Sequence, residues 1–176
     1  MAITRLQLNQ LPITRRGLTE FTYSRFLVPW LCNYEGTALF LDADMLCLTD
    51  VMEIEQYATS PVSVVKNKHR FEWPSLMLFD CAKCKVLTPE FVETSDQLFK
   101  MTWADVGDLP SQWNHLVGYD APQDAKIVHF TKGIPAWMET AGCEYSDEWH
   151  QERRSMMSTV SFNELMGRSV HVNTGN

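Results

Sequence analysis

With 176 residues, 45% of them apolar, and a formal net charge of −7, the chain is long enough to bury a real core and fold alone. The acidic balance excludes a nucleic-acid binder, because phosphate neutralisation needs a Lys/Arg-rich face that only Thr14-Arg15-Arg16 and Lys66 to Arg70 begin to supply. Those short basic clusters suit a small phosphorylated ligand instead. No apolar stretch exceeds about six residues, against about 20 for a bilayer span, and the opening MAITRLQLNQLPITRR lacks a signal-peptide apolar core. A cytoplasmic protein without a transmembrane segment is expected.

Residues 1–18 carry Pro12 and Gly17 without a clear period and read as an irregular entry. Thr19-Glu20 opens an amphipathic helix to about Leu31, with Thr19 as N-cap, Pro29 disturbing its end, and Tyr23, Ser24 and Arg25 in its first turns. Residues 37–41 form a short apolar run after Glu35-Gly36, the pattern of a buried strand. Val51, Ile54 and Tyr57 then fit helical spacing. Strands are predicted over 61–65, 76–79 and 127–130, a helix starts at Thr88-Pro89-Glu90, and Lys132-Gly133 makes a turn. A helix over about 146–158 and a capping box at Ser161 and Glu164 follow, with a polar, flexible tail over 168–176. Strands alternating with helices predict an α/β fold in a single domain, 1–176.

Cys32, Cys47, Cys81, Cys84 and Cys143 are odd in number and lack a disulfide-framework spacing, so reduced thiols are expected. Cys81-Ala-Lys-Cys84 has CxxC spacing, but no second pair stands at a matching distance for zinc. Partly buried, unreactive thiols are the expected reading.

The strand over 37–41 ends in Asp42-Ala-Asp44, and a strand end is where ligands bind in an open α/β sheet. Two carboxylates at i and i+2 across a turn suit a hard or borderline divalent ion, Mg²⁺ or Mn²⁺, whose other positions substrate phosphates can fill. A solvated acidic turn is the competing reading. His129 ends a separate apolar strand and can complete a manganese site, while Lys132 and Gly133 offer a charge and an open backbone N–H to phosphate oxygens.

The blocks Thr19-Glu-Phe-Thr-Tyr-Ser-Arg25, Ala38-Leu-Phe-Leu-Asp-Ala-Asp44, Trp73-Pro-Ser-Leu-Met-Leu-Phe79, Leu109-Pro-Ser-Gln-Trp-Asn114 and Ile127-Val-His-Phe-Thr-Lys-Gly133 stand in a fixed order. Together they resemble glycosyltransferases of the GT-A fold, closest to the glycogenin and galactosyltransferase-like family eight, over about residues 14–150. The resemblance implies a compact GT-A-like, Rossmann-like mixed sheet flanked by helices. It also implies transfer of a hexose from a nucleotide-diphosphate sugar, most often a UDP-sugar, to a carbohydrate, lipid or protein acceptor with retention. By the same resemblance Asp42, Asp44 and His129 hold Mn²⁺ or Mg²⁺, and Lys132 and Gly133 meet the leaving diphosphate. Tyr23, Arg25, Asp42 and Ser75 line the donor site, and Asp105, Gln112 and Asn114 face the transferred sugar and acceptor as the catalytic set. Trp73 and Trp113 are candidate sugar-stacking or core aromatics, and Lys66, Lys68 and His69 a basic loop near the donor.

The chain departs from that family in its short run before Thr19, where relatives place a base-gripping half. Either this is a natural minimal form, as in a phage or bacterium, or a fragment of something longer. Base recognition would fall to Pro12–Arg16 or to a second subunit in a homodimer. Rival readings are a haloacid-dehalogenase-like phosphatase, in which the first Asp of DxD is a nucleophile, and a non-catalytic nucleotide-sugar-binding module.

Overall fold

A computed structural model describes residues 2–19 and 21–157. The predicted capping box and the tail lie outside these residues. Among the described residues seven strands occur in chain order: β1 (Thr37–Leu41), β2 (Met45–Cys47), β3 (Val62–Val64), β4 (Leu76–Asp80), β5 (Val106–Asp108), β6 (His115–Leu116) and β7 (Ile127–His129). The α-helices are α1 (Val28–Leu31), α2 (Pro89–Thr94) and α3 (Ser146–Met157), with short 3₁₀ turns between them. The result is a mixed α/β fold with two sheets flanked by helices.

The four-stranded sheet runs β1-β4-β3-β5 and the three-stranded sheet β2-β7-β6. β4 is antiparallel to both neighbours, whereas β3–β5 and β6–β7 are parallel pairs. Two-residue periodicity explains why β4 sits inside: Met77 and Phe79 enter one buried cluster with Phe26, Leu27 and Val62, and Leu76 and Leu78 enter another with Ile54, Trp113 and Ile127. A third cluster forms where Val128 meets Leu46, Val117 and Phe130. Because Ile127 and Val128 point into different clusters, β7 ties the two sheets together.

Several expectations need correction. The helix predicted from Thr19 begins only with a 3₁₀ turn at Ser24–Leu27, and Pro29 lies in the first turn of α1 rather than at its end. Thr22 explains the delay, since its hydroxyl donates to the Thr19 carbonyl and accepts from the Thr19 N–H in a local turn. β1 is a half-buried edge strand, not a fully buried one. Residues 51–57 are helical with 3₁₀ geometry, capped by Asp50, whose carboxylate accepts from the Met52 N–H. β2, β5 and β6 are additional, and strands of two or three residues are too short to show a period. Two sheets stand where one was expected.

The start of α2 agrees with its sequence signal. Thr88 accepts a hydrogen bond from the Phe91 N–H, and Pro89 occupies the first turn. This helix carries Val92 into the core. Thr88→Ala should therefore cost about 1 kcal/mol of stability, read as a lower urea midpoint with an unchanged denaturant slope.

Candidate metal centre

Ladder hydrogen bonds set the geometry. The Asp42 N–H donates to the Ser75 carbonyl, extending the β1–β4 pairing, and the Phe130 N–H donates to the Asp44 carbonyl. Met45 pairs with His129 across β2 and β7, so the turn Asp42–Asp44 is held between the two sheets against the end of β7. One ligand atom from each of Asp42, Asp44 and His129 lies within 4.8 Å of the other two. The Nε2 atom of His129 is 3.4 Å from Asp44 Oδ1. His129 is buried at 3% exposure, whereas the Asp42 and Asp44 side chains are 24% and 41% exposed. A buried imidazole beside two carboxylates that reach solvent could hold a divalent ion such as Mn²⁺ or Mg²⁺.

Arg25 completes the inner wall. Its Nη1 donates to Asp42 Oδ2 at 3.2 Å and to the Pro74 carbonyl at 2.8 Å, and its Nη2 forms an ion pair with Asp42 Oδ1 at 3.0 Å. Burial pushes the Asp42 carboxyl up to about 6, with Asp44 adding to the rise and Arg25 and His129 opposing it. Burial likewise raises the Glu72 carboxyl, which sits 3.8 Å from His129 Nδ1.

A metal must displace any proton on Asp42. Mn²⁺ affinity should therefore level off above about pH 6 and, from this one proton, fall by up to about tenfold per unit below it. For the metal-free fold the sign is opposite to that of a carboxylate with a depressed value. The folded state holds this proton more tightly than the unfolded chain, so Asp42 adds stability as pH falls from about 6 toward 3.8. Isothermal titration with Mn²⁺ across pH 5–8 checks the first effect.

The remaining sequence candidates fall in different places. Lys132 is exposed, donates to the Gly118 carbonyl at 3.2 Å and sits 4.9 Å from the Tyr119 ring centre. Lys132 and Gly133 line a cavity of about 360 Å³ with Thr140 and Cys143, but the Gly133 N–H expected to be open to phosphate donates to the Phe130 carbonyl at 2.8 Å, closing the turn after β7. At Gly133 φ is +116°, and a Cβ there would meet the Trp137 ring at 2.5 Å, so only glycine fits. Ser75 is buried and its hydroxyl is engaged within the protein, donating to the Glu72 carbonyl at 2.6 Å and accepting from Asn114 Nδ2 at 2.9 Å. Asn114 is 0% exposed, with Oδ1 unpartnered. Gln112 is half-buried and its carbonyl accepts from the Lys126 N–H, while Asp105 is exposed just ahead of β5.

Tyr23 is half-buried, with the Arg15 guanidinium 4.0 Å from its ring centre and Phe99 edge-on. Trp113, at 0% exposure, is core and unavailable for sugar stacking, packed on Tyr57. Trp73 is half-buried and donates from its indole to the Asn67 carbonyl. Lys66 donates to the Val106 carbonyl beside β5, and Lys68 is exposed. His69 contacts the Tyr119 and Phe71 rings, with its buried Nε2 unpartnered. All five cysteines are free, and burial pushes Cys81 and Cys84 up to about 12, which makes both poor nucleophiles.

Among the described helices none is long and apolar enough to cross a membrane. The chain matches no protein-family model, and no solved structure matches it. It is similar to Protein CDI of Arabidopsis thaliana, 31% identical over 166 residues that cover 76% of this chain and 64% of that protein. The match thus spans less than two thirds of the plant protein's length.

Proposed function

We propose that this chain is a metal-dependent glycosyltransferase, moving a hexose from a nucleotide-diphosphate sugar, most often a UDP-sugar, to a carbohydrate, lipid or protein acceptor. The observation that carries this reading is the convergence of Asp42, Asp44 and His129 within 4.8 Å from two separate segments, beside the guanidinium of Arg25. Acidic turns are common, but one that meets a buried histidine across a strand ladder is built to hold a cation. Mn²⁺ bound there would offset charge on a diphosphate leaving group.

The chain's own residues then divide the work. Asp42 and Asp44 would hold the ion from below, and Arg25 keeps the more buried carboxylate in place. Lys132, after the same β7 strand that supplies His129, would receive the departing phosphate oxygens. Asp105 and Gln112 are the proposed contacts to the transferred sugar and acceptor. The buried Asn114 acts on the site through Ser75. The grip of Arg25 on both oxygens of Asp42 weighs against the phosphatase reading, which requires that carboxylate to be free as a nucleophile.

The test is mass spectrometry of the purified protein with UDP-, GDP-, ADP- and TDP-sugars, with and without Mn²⁺ and without acceptor. Manganese-dependent release of one nucleoside diphosphate is the expected result. Donors left intact and unbound would overturn the transferase reading, and phosphate released from a phosphomonoester would favour the phosphatase.

A further inference from the structure

His129 has two ring nitrogens facing two different carboxylates. Nε2 lies 3.4 Å from Asp44 Oδ1, and Nδ1 lies 3.8 Å from Glu72 Oε2. Glu72 is not among the three residues whose ligand atoms converge within 4.8 Å, so it addresses the other edge of the imidazole. Nδ1 is buried and without a hydrogen bond, in a residue only 3% exposed. A neutral imidazole has one N–H and one lone pair. If the lone pair on Nε2 points at a cation, the proton must sit on Nδ1, where an acceptor is needed.

We propose that Glu72 is the positioning residue of the metal centre: its carboxylate accepts the Nδ1–H of His129, fixing the tautomer that leaves Nε2 free to bind the ion. This rests on the reading of Asp42, Asp44 and His129 as a metal site. The separation is about 1 Å longer than a hydrogen bond of about 2.8 Å, so the role requires the two side chains to close by that distance when the ion binds.

The backbone around Glu72 is held as this role requires. Its N–H donates to the His69 carbonyl at 2.8 Å, and its carbonyl accepts from Ser75 Oγ at 2.6 Å. Ser75 Oγ in turn accepts from the fully buried Asn114 at 2.9 Å. Asn114 and Ser75 therefore form a strut from the Ser111–Trp113 turn to the backbone that presents Glu72. A carboxylate behind a metal-bound histidine raises its basicity as a ligand, and losing it costs about 10–100-fold in metal affinity.

The experiment is Mn²⁺ titration of wild type, Glu72→Ala, Glu72→Gln and Asp44→Asn by calorimetry, with ¹⁵N NMR of the imidazoles in the Zn²⁺-loaded wild type. The expected result is a loss of about 10–100-fold in E72A, a smaller loss in E72Q, which keeps an acceptor oxygen, and a His129 signature with the proton on Nδ1. Should E72A fail to fold, E72Q and the NMR tautomer decide alone. Affinity in the folded Glu72 variants within about twofold of wild type, with D44N lost, overturns the positioning role alone, as does a proton on Nε2. Unchanged binding in D44N as well overturns the metal centre itself.

Discussion

Asp44→Asn is expected to weaken Mn²⁺ binding by at least about 100-fold, beyond the range typical of an outer-shell change, while the melting temperature stays within about 2 °C of wild type. The two effects separate because of where Asp44 sits. Its side chain is 41% exposed and, among the described residues, its ion-pair contact is to His129 Nε2 at 3.4 Å, so little folding energy rests on it. As a ligand, however, it is the carboxylate not already engaged by Arg25. The neutral amide keeps the shape but loses the charge that a hard divalent ion requires. Donor turnover should fall with metal affinity, and calorimetry together with thermal unfolding reads both quantities. Unchanged affinity in a folded D44N protein would remove the metal centre from the account.

Arg25→Met should have the opposite profile, costing about 3 kcal/mol of stability, as removal of one partner from a buried ion pair does. Two hydrogen bonds, one to Asp42 and one to the Pro74 carbonyl, are lost together with the ion pair to Asp42 Oδ1. The Asp42 carboxylate is then left half-buried near Asp44 without its compensating cation. For a chain of this length that corresponds to a fall of about 10 °C in melting temperature. Because Arg25 opposes the rise that burial imposes on the Asp42 carboxyl, the orphaned group takes its proton above about pH 6, so the penalty should shrink as pH falls toward 6 and change little below it. A double-mutant cycle with Asp42→Asn should recover much of the loss, since the amide has no charge to strand. A loss under about 0.5 kcal/mol in R25M, or no recovery in the double variant, would contradict the pairing.

The parts of the site carried by local pattern were legible in the sequence. Asp42 and Asp44 follow a short apolar run with the pattern of a strand, and His129 ends another, so their strand-end positions follow from local pattern. That the two ends meet does not follow, because it depends on the β2–β7 pairing, and β2 is three residues long. Glu72 escaped notice for a related reason. It lies in the 3₁₀ turn Arg70–Ser75, a polar stretch containing Pro74, and nothing local marks it as facing a histidine 57 positions later. Asn114 is expected from the resemblance to face the transferred sugar and acceptor, yet it is fully buried and bonded to Ser75. A buried amide paired with a buried hydroxyl resembles any surface pair until the tertiary contact is known. Thr19 misled in the same way, since a Thr ahead of an amphipathic stretch is a good cap, and only the Thr22 hydroxyl diverts the chain into a turn.

The central claim is that one metal centre joins this chain to the diphosphate of a nucleotide-sugar. Calorimetric titration of Mn²⁺ into the protein, alone and with saturating UDP, tests it most directly, because a shared ion couples the two binding equilibria reciprocally. Tightening of Mn²⁺ by about tenfold or more in the presence of UDP, absent in D44N, is the predicted result. Equal Mn²⁺ affinity with and without the nucleotide would contradict it, leaving a metal site that no diphosphate shares.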